Sequence, residues 1–130
     1  MAPQVTLDYT EVFGYKNDSL TPEAYVETFP SPDMLGNPNV KTQHLLVAST
    51  VRQLSSTIAV AGRQIRAMHV LYNPDTKKEI ARSSGHGVLQ FTYEKVEGVW
   101  KIAGLKASND FFDNEMRGVF PSFPIIELKL

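Results

Sequence analysis

The chain has 130 residues and a net charge of −1, with 13 Lys and Arg against 14 Asp and Glu. This fits one ordinary domain spanning residues 1–130 and lacks the basic excess of a nucleic-acid binder. Cysteine is absent, which excludes disulfides, thiolate metal sites and a cysteine nucleophile together. No apolar run approaches the ~18–20 residues that span a bilayer. The first twenty residues carry Asp8, Glu11, Lys16 and Asp18 without an apolar core, so no signal peptide is read and a cytoplasmic chain without membrane contact is expected.

Val5, Leu7 and Tyr9 alternate with polar neighbours, which predicts a short half-buried strand. Thr21-Pro22-Glu23 opens a helix: Thr21 accepts from free amides, Pro22 takes the first helical position, and Glu23 favours the positive end of the dipole. Pro30 and Pro32 end it near Phe29, and Asp33 to Asn39 reads as a loop. These elements form an N-terminal segment, residues 1–39.

Residues 40–107 form the sheet. Val40 to Leu54 and Thr57 to Tyr72 read as long strands, the second with a bulge expected at Gly62. Asn73-Pro74-Asp75-Thr76 is a turn. Glu79 to Glu94 is a third strand, broken at Gly85 and Gly87, and Glu97-Gly98 makes a hairpin into Val99 to Ala107. In residues 108–130, Ser108 or Asn109 caps a short helix through Phe111, Phe112, Met116 and Phe120, stopped by Pro121 and Pro124. Ile125 to Leu130 reads as a last strand or a packing arm. The sum is an α+β fold, a strongly curved antiparallel sheet wrapped over short helices.

Three histidines are present, His44, His69 and His86. His44 shares a strand face with Thr42 and Leu46, and His69 shares one with Ile65, Ala67 and Leu71, so both are expected on the covered, concave face. A single inward histidine is usually a locally bonded core residue. Two on adjacent strands can give and take protons near neutral pH. No Asp or Glu shares either strand face, so metal binding is not expected. His86 has the opposite parity and should face outward or into a subunit interface. Tyr9 closes the first strand, where its hydroxyl either polarises a carbonyl or sits at the core edge. No phosphate loop and no G-x-S-x-G is present, and no cofactor is implied.

Gly36-Asn37-Pro38, Thr42-Gln43-His44, Met68-His69 and the run Gly98-Val99-Trp100-Lys101-Ile102-Ala103-Gly104-Leu105-Lys106, with Ala2-Pro3 and Asp8-Tyr9 near the start, resemble the scytalone dehydratase family from about residue 2 to Phe120. The resemblance implies a cone-shaped barrel of the nuclear transport factor 2-like class. It also implies a homotrimer and a reaction that removes water from a hydroxylated, partly reduced aromatic polyketide in fungal secondary metabolism. In that family two histidines are the acid–base pair, and two tyrosines hold a water against the substrate ketone. An aspartate orients one histidine, and a serine and an asparagine complete the polar set. Carried over, His44 and His69 match the histidines and Tyr9 matches the second tyrosine. The serine aligns with Gly87 and the asparagine with Leu89. The helix with the first tyrosine and the aspartate would precede Met1. Val12, Met34, Ala67, Leu89, Leu105, Met116 and Phe120 match the apolar pocket wall.

Three functions follow. The first is a dehydratase-like lyase, in which His44 removes the acidic proton α to a carbonyl. His69 protonates or orients the leaving hydroxyl, and Tyr9 polarises the carbonyl. The second is a cyclase, isomerase or decarboxylase of a polyketide on the same scaffold, favoured by the greasier wall at Gly87 and Leu89. The third is a non-catalytic small-molecule binding protein. A homo-oligomer is expected also because Leu45, Val47, Met68, Val70 and Val88 share the outward strand face.

Overall fold

The structure is a computed structural model and describes residues 1–123; the tail read as a last strand or arm, residues 125–130, lies outside them. Six strands form one sheet: β1 (Val5–Tyr9), β2 (Tyr15–Leu20), β3 (Val40–Gln53), β4 (Ile58–Tyr72), β5 (Glu79–Val96) and β6 (Val99–Asp113). Their order is β2-β1-β6-β5-β4-β3. Four pairs are antiparallel, but β1 runs parallel to β6. The sheet is therefore mixed rather than wholly antiparallel, because the chain crosses from the N-terminal ribbon to the far edge before the meander begins.

Strands of 14 to 18 residues cannot stay flat, and bulges supply the bend. One sits at Ala48, between Val47 and Ser49, where φ is +36°. Gly62, the expected site, keeps regular register with Thr50 and Gln90. A second register shift falls between His86 and Gly87. The strand β5 is continuous across both glycines. At Gly87 the reason for glycine is steric: a Cβ would run into the Ser108 carbonyl of β6. The hairpin at Glu97 and Gly98 has positive φ at both positions, which matches the right-handed twist of the strands it joins.

Two short helices cover the concave face at its N-terminal end, α1 (Thr10–Phe13) and α2 (Pro22–Glu27). In α2 the Thr21 hydroxyl accepts from the Ala24 N–H at 3.2 Å, with Pro22 at the first turn. The expected C-terminal helix from Ser108 does not form. Residues 108–113 continue β6, and among the described residues only a 3₁₀ turn, Met116–Gly118, follows. Ser108, Asn109, Phe111, Phe112 and Asp113 pair with β5, and this ladder outweighs the helical spacing of the aromatics.

Two buried clusters flank the concavity. Leu7, Leu20, Leu89, Leu105 and Ala107 form one, and Val40, Met116, Val119, Phe120 and Phe123 form the other, with Val12 touching both. On the outer face Leu45, Val47 and Val88 are exposed, but Val70 is buried, contrary to the sequence reading. Gly87→Ala is expected to force β5 and β6 apart and to cost roughly 1–3 kcal/mol. That corresponds to a drop of about 3–12 °C in the unfolding midpoint by calorimetry.

Candidate active site

Between the two clusters lies a cavity of about 110 Å³. Its wall is mostly apolar: Val12, Phe13, Phe29, Met34, Ile65, Ala67, Leu89, Ala107, Phe112, Met116, Phe120 and Phe123 all contribute. Its polar side chains are few, namely Tyr9, His44, His69, Ser108 and Asn109. A small set of convergent polar groups in an apolar hollow is the usual form of a small-molecule site.

His69 sits mid-β4 and is 6% exposed. Its Nδ1 is 2.9 Å from the Thr42 hydroxyl, directly across the β3–β4 ladder. Its ring packs on Phe120 at 5.0 Å and stands edge-on to His44, with centroids 5.6 Å apart and planes at 90°. Burial pulls the His69 pKa down to about 4, and the neighbouring His44 adds to this. By surface area His44 is exposed, because β3 is the edge of the sheet. Its ring nonetheless lines the cavity, and partial loss of water lowers its pKa below the ordinary 6.5. Both imidazoles are thus neutral at pH 7.

Tyr9 ends β1 and lines the cavity, stacked on Phe13 at 4.9 Å and edge-on to Phe29 at 5.8 Å. Burial, with a further contribution from Tyr25, pushes its hydroxyl up to about 12, so it stays a donor across the working pH range. Of the wall residues expected from the sequence, Val12, Met34, Ala67, Leu89, Met116 and Phe120 lie on the cavity. Leu105 does not; it packs one layer back against Leu7, Leu20 and Ala107. Asn109 lies on the wall and was missed, because it read as the cap of a helix that is in fact strand.

The third histidine faces outward, as its parity requires. Its Nε2 is 2.9 Å from Asp113 Oδ2, its ring stacks on Phe111 at 4.4 Å, and Arg66 approaches the same carboxylate at 3.8 Å. Ser83 is buried and donates to the carbonyls of Asp113 and Asn114, tying the start of β5 to the end of β6. Among the described residues no cluster of three or more His, Asp or Glu could hold a metal ion. No described helix is long and apolar enough to cross a membrane.

A coiled sheet wrapped over short helices, with an apolar hollow holding paired histidines, defines a cone of the nuclear transport factor 2-like class. The family model for scytalone dehydratase matches residues 1–122, and the chain belongs to that family. It is 37% identical over 127 residues to the scytalone dehydratase arp1 of Aspergillus fumigatus, covering 94% of this chain and 76% of the relative. It is 35% identical over 106 residues to a dehydratase of Pestalotiopsis microspora, covering 81% and 67%. Among solved structures, a Kribbella flavida protein matches with a TM-score of 0.69 over 87% of this chain and 74% of its own, at 16% identity. A hexachlorocyclohexane dehydrochlorinase, LinA-type3 of Novosphingobium barchaimii, matches with a TM-score of 0.61 over 85% and 68%, at 13% identity. At such identities the likeness is one of fold.

A histidine-resolved NMR titration is expected to show His44 protonating below pH 6.5 and His69 only near pH 4. Both groups bind protons more readily in the unfolded chain. Stability should therefore be full above about pH 6.5 and decline as pH falls towards 4. The decline should be shallower in His69→Gln, measured by urea unfolding across that range.

Proposed function

We propose that the chain is a cofactor-independent lyase that removes water from a hydroxylated, partly reduced aromatic polyketide of fungal secondary metabolism. His44 and His69 form its acid–base pair. The observation that carries this reading is the pair itself: two neutral imidazoles 5.6 Å apart at the wall of an apolar hollow, with a protonated tyrosine on the same hollow. Family membership and curated dehydratase relatives support it.

In this mechanism His44 accepts the proton α to the substrate carbonyl as the C–H bond breaks. The Tyr9 hydroxyl donates to the carbonyl oxygen, where negative charge builds in a site that excludes water. The electron pair moves into the new C=C bond, and the C–O bond to the leaving hydroxyl breaks. A His69 with a pKa near 4 is a poor reservoir of protons, so its part is to orient the leaving oxygen through its ring N–H. The proton held on His44 passes to that oxygen. The products are the more conjugated ring and one water, and the gain in conjugation drives the reaction.

The wall at Gly87 and Leu89 supports a second reading, a cyclase, isomerase or decarboxylase that holds a larger apolar substrate in one folded shape. The exposed Leu45, Val47, Val51 and Val88 support the homotrimer that the family resemblance implies.

Scytalone is the first substrate to test, with water loss followed by absorbance. His44→Ala and His69→Ala are each expected to lose at least about 100-fold in kcat. Tyr9→Phe should lose about 10- to 1000-fold in kcat with little change in KM. Histidine variants that keep wild-type turnover overturn the acid–base pair. A silent Tyr9→Phe beside inactive histidine variants moves the reading to the cyclase or isomerase. Light scattering at micromolar concentration should give about three times the 14.5 kDa chain mass; a single chain mass overturns the trimer.

A further inference from the structure

Every residue of β3 from Lys41 to Gln53 is exposed, whereas His69 on the neighbouring strand is buried. The Thr42 hydroxyl and His69 Nδ1 join the two strands at 2.9 Å, between residues directly paired in the ladder. Two side chains in register across a ladder are held by both backbones. The Phe120 and His44 rings also close on the imidazole, with centroids at 5.0 and 5.6 Å. The opposite ring nitrogen, Nε2, has no hydrogen bond among the described residues. It is not one of the unpaired side-chain atoms shut off from solvent, which are on Arg63 and Asn109. Nε2 can therefore be reached from the hollow that His69 lines.

The partner at Nδ1 decides which nitrogen of a neutral imidazole carries the proton. A carboxylate or carbonyl oxygen only accepts. It would hold the proton on Nδ1 and turn a bare lone pair into the hollow. A hydroxyl donates as well as accepts. It therefore allows the form that an unconstrained histidine side chain prefers, with the proton on Nε2. No described carboxylate acts on this ring: loss of water and His44 set its pKa.

We infer that Thr42 is a positioning residue whose hydroxyl donates to His69 Nδ1, so that the ring presents Nε2–H to an acceptor oxygen in the hollow. This rests on the reading that the hollow is the substrate site. It deepens that reading by assigning which nitrogen faces the substrate and what holds it there. His69 then meets the leaving oxygen in one orientation and does not compete with His44 for the proton α to the carbonyl.

The first measurement needs no substrate. Long-range proton–nitrogen NMR spectra at about pH 8, where both imidazoles are neutral, should show the His69 proton on Nε2 and a hydrogen bond accepted at Nδ1. Thr42→Val has the same shape without the hydroxyl and sits on an exposed strand, so its unfolding midpoint should match wild type. Its Nδ1 signal should move to the unbonded position, and kcat for scytalone should fall roughly five- to tenfold with little change in KM. Thr42→Ser keeps the hydroxyl and should restore the signal, with kcat within about threefold of wild type. Thr42→Asp supplies a partner that only accepts. Its His69 proton should move to Nδ1, and kcat should fall at least about tenfold although the ring stays bonded.

A wild type with the proton on Nδ1, or nitrogen signals that ignore both Thr42→Val and Thr42→Asp, overturns the inference. So does a Thr42→Asp variant that moves the proton yet keeps wild-type kcat while His69→Ala is inactive. If the signals behave as expected but the histidine variants keep wild-type turnover, the inference stands and the acid–base pair falls. If the histidine variants are inactive but the signals ignore Thr42, the reverse holds.

Discussion

The close approach of β5 to β6 at Gly87 is the constraint on which the cavity depends. No side chain fits there, because the Ser108 carbonyl of the neighbouring strand occupies the space of a Cβ. The strands therefore meet backbone to backbone, and the ladder absorbs one extra residue beside the contact. A bulge bends the strand that carries it, here β6, beside the hollow between the two core clusters. It also decides which side chains of β6 face inward. Without it, strict alternation would carry Phe111 into the cavity and turn Phe112 out.

The chemistry of the hollow follows from its dryness. Hydrocarbon on nearly all sides removes water from the imidazole of His69 and from the Tyr9 hydroxyl. Desolvation moves their pKa values in opposite directions, down for the base and up for the acid. The result is the same for both: each stays uncharged at neutral pH. The neutral His69 ring keeps an N–H with which to orient an oxygen, and a protonated phenol is ready to donate a hydrogen bond. Thr42, directly opposite His69 in the β3–β4 register, holds the ring through Nδ1. The edge position of β3 keeps His44 more open than its partner, so the two histidines are chemically unequal although they lie on one surface.

Several of these features were legible in the residues alone. Alternation in β1, the N-cap at Thr21 and the turns after Tyr72 and Val96 are local signals, and they act over a few residues through dihedral preference and nearby hydrogen bonds. The inward parity of His44 and His69 follows from strand periodicity. Family membership was legible for a related reason: the motifs that carry it are short and contiguous. The strand β2, with the polar run Lys16, Asn17, Asp18 and Ser19, carries no such signal and exists because β1 offers it an edge to pair with. The stretch from Ser108 to Asp113 carries a misleading one, since its aromatics have helical spacing while its backbone is claimed by β5.

The sequence by itself determined the long strands, the helix start, the lack of thiol chemistry and which histidines share an inward face, because each depends on residue type and near neighbours. Only the tertiary structure decided the parallel pairing of β1 with β6, the position of the bulges, the retreat of Leu105 behind the wall and the burial of Val70. It alone brought Asn109 to the cavity. These outcomes depend on where two distant backbones come within hydrogen-bonding reach, and on how a register slip of one residue exchanges the faces of a strand. That information lies in the contact between strands rather than along either one.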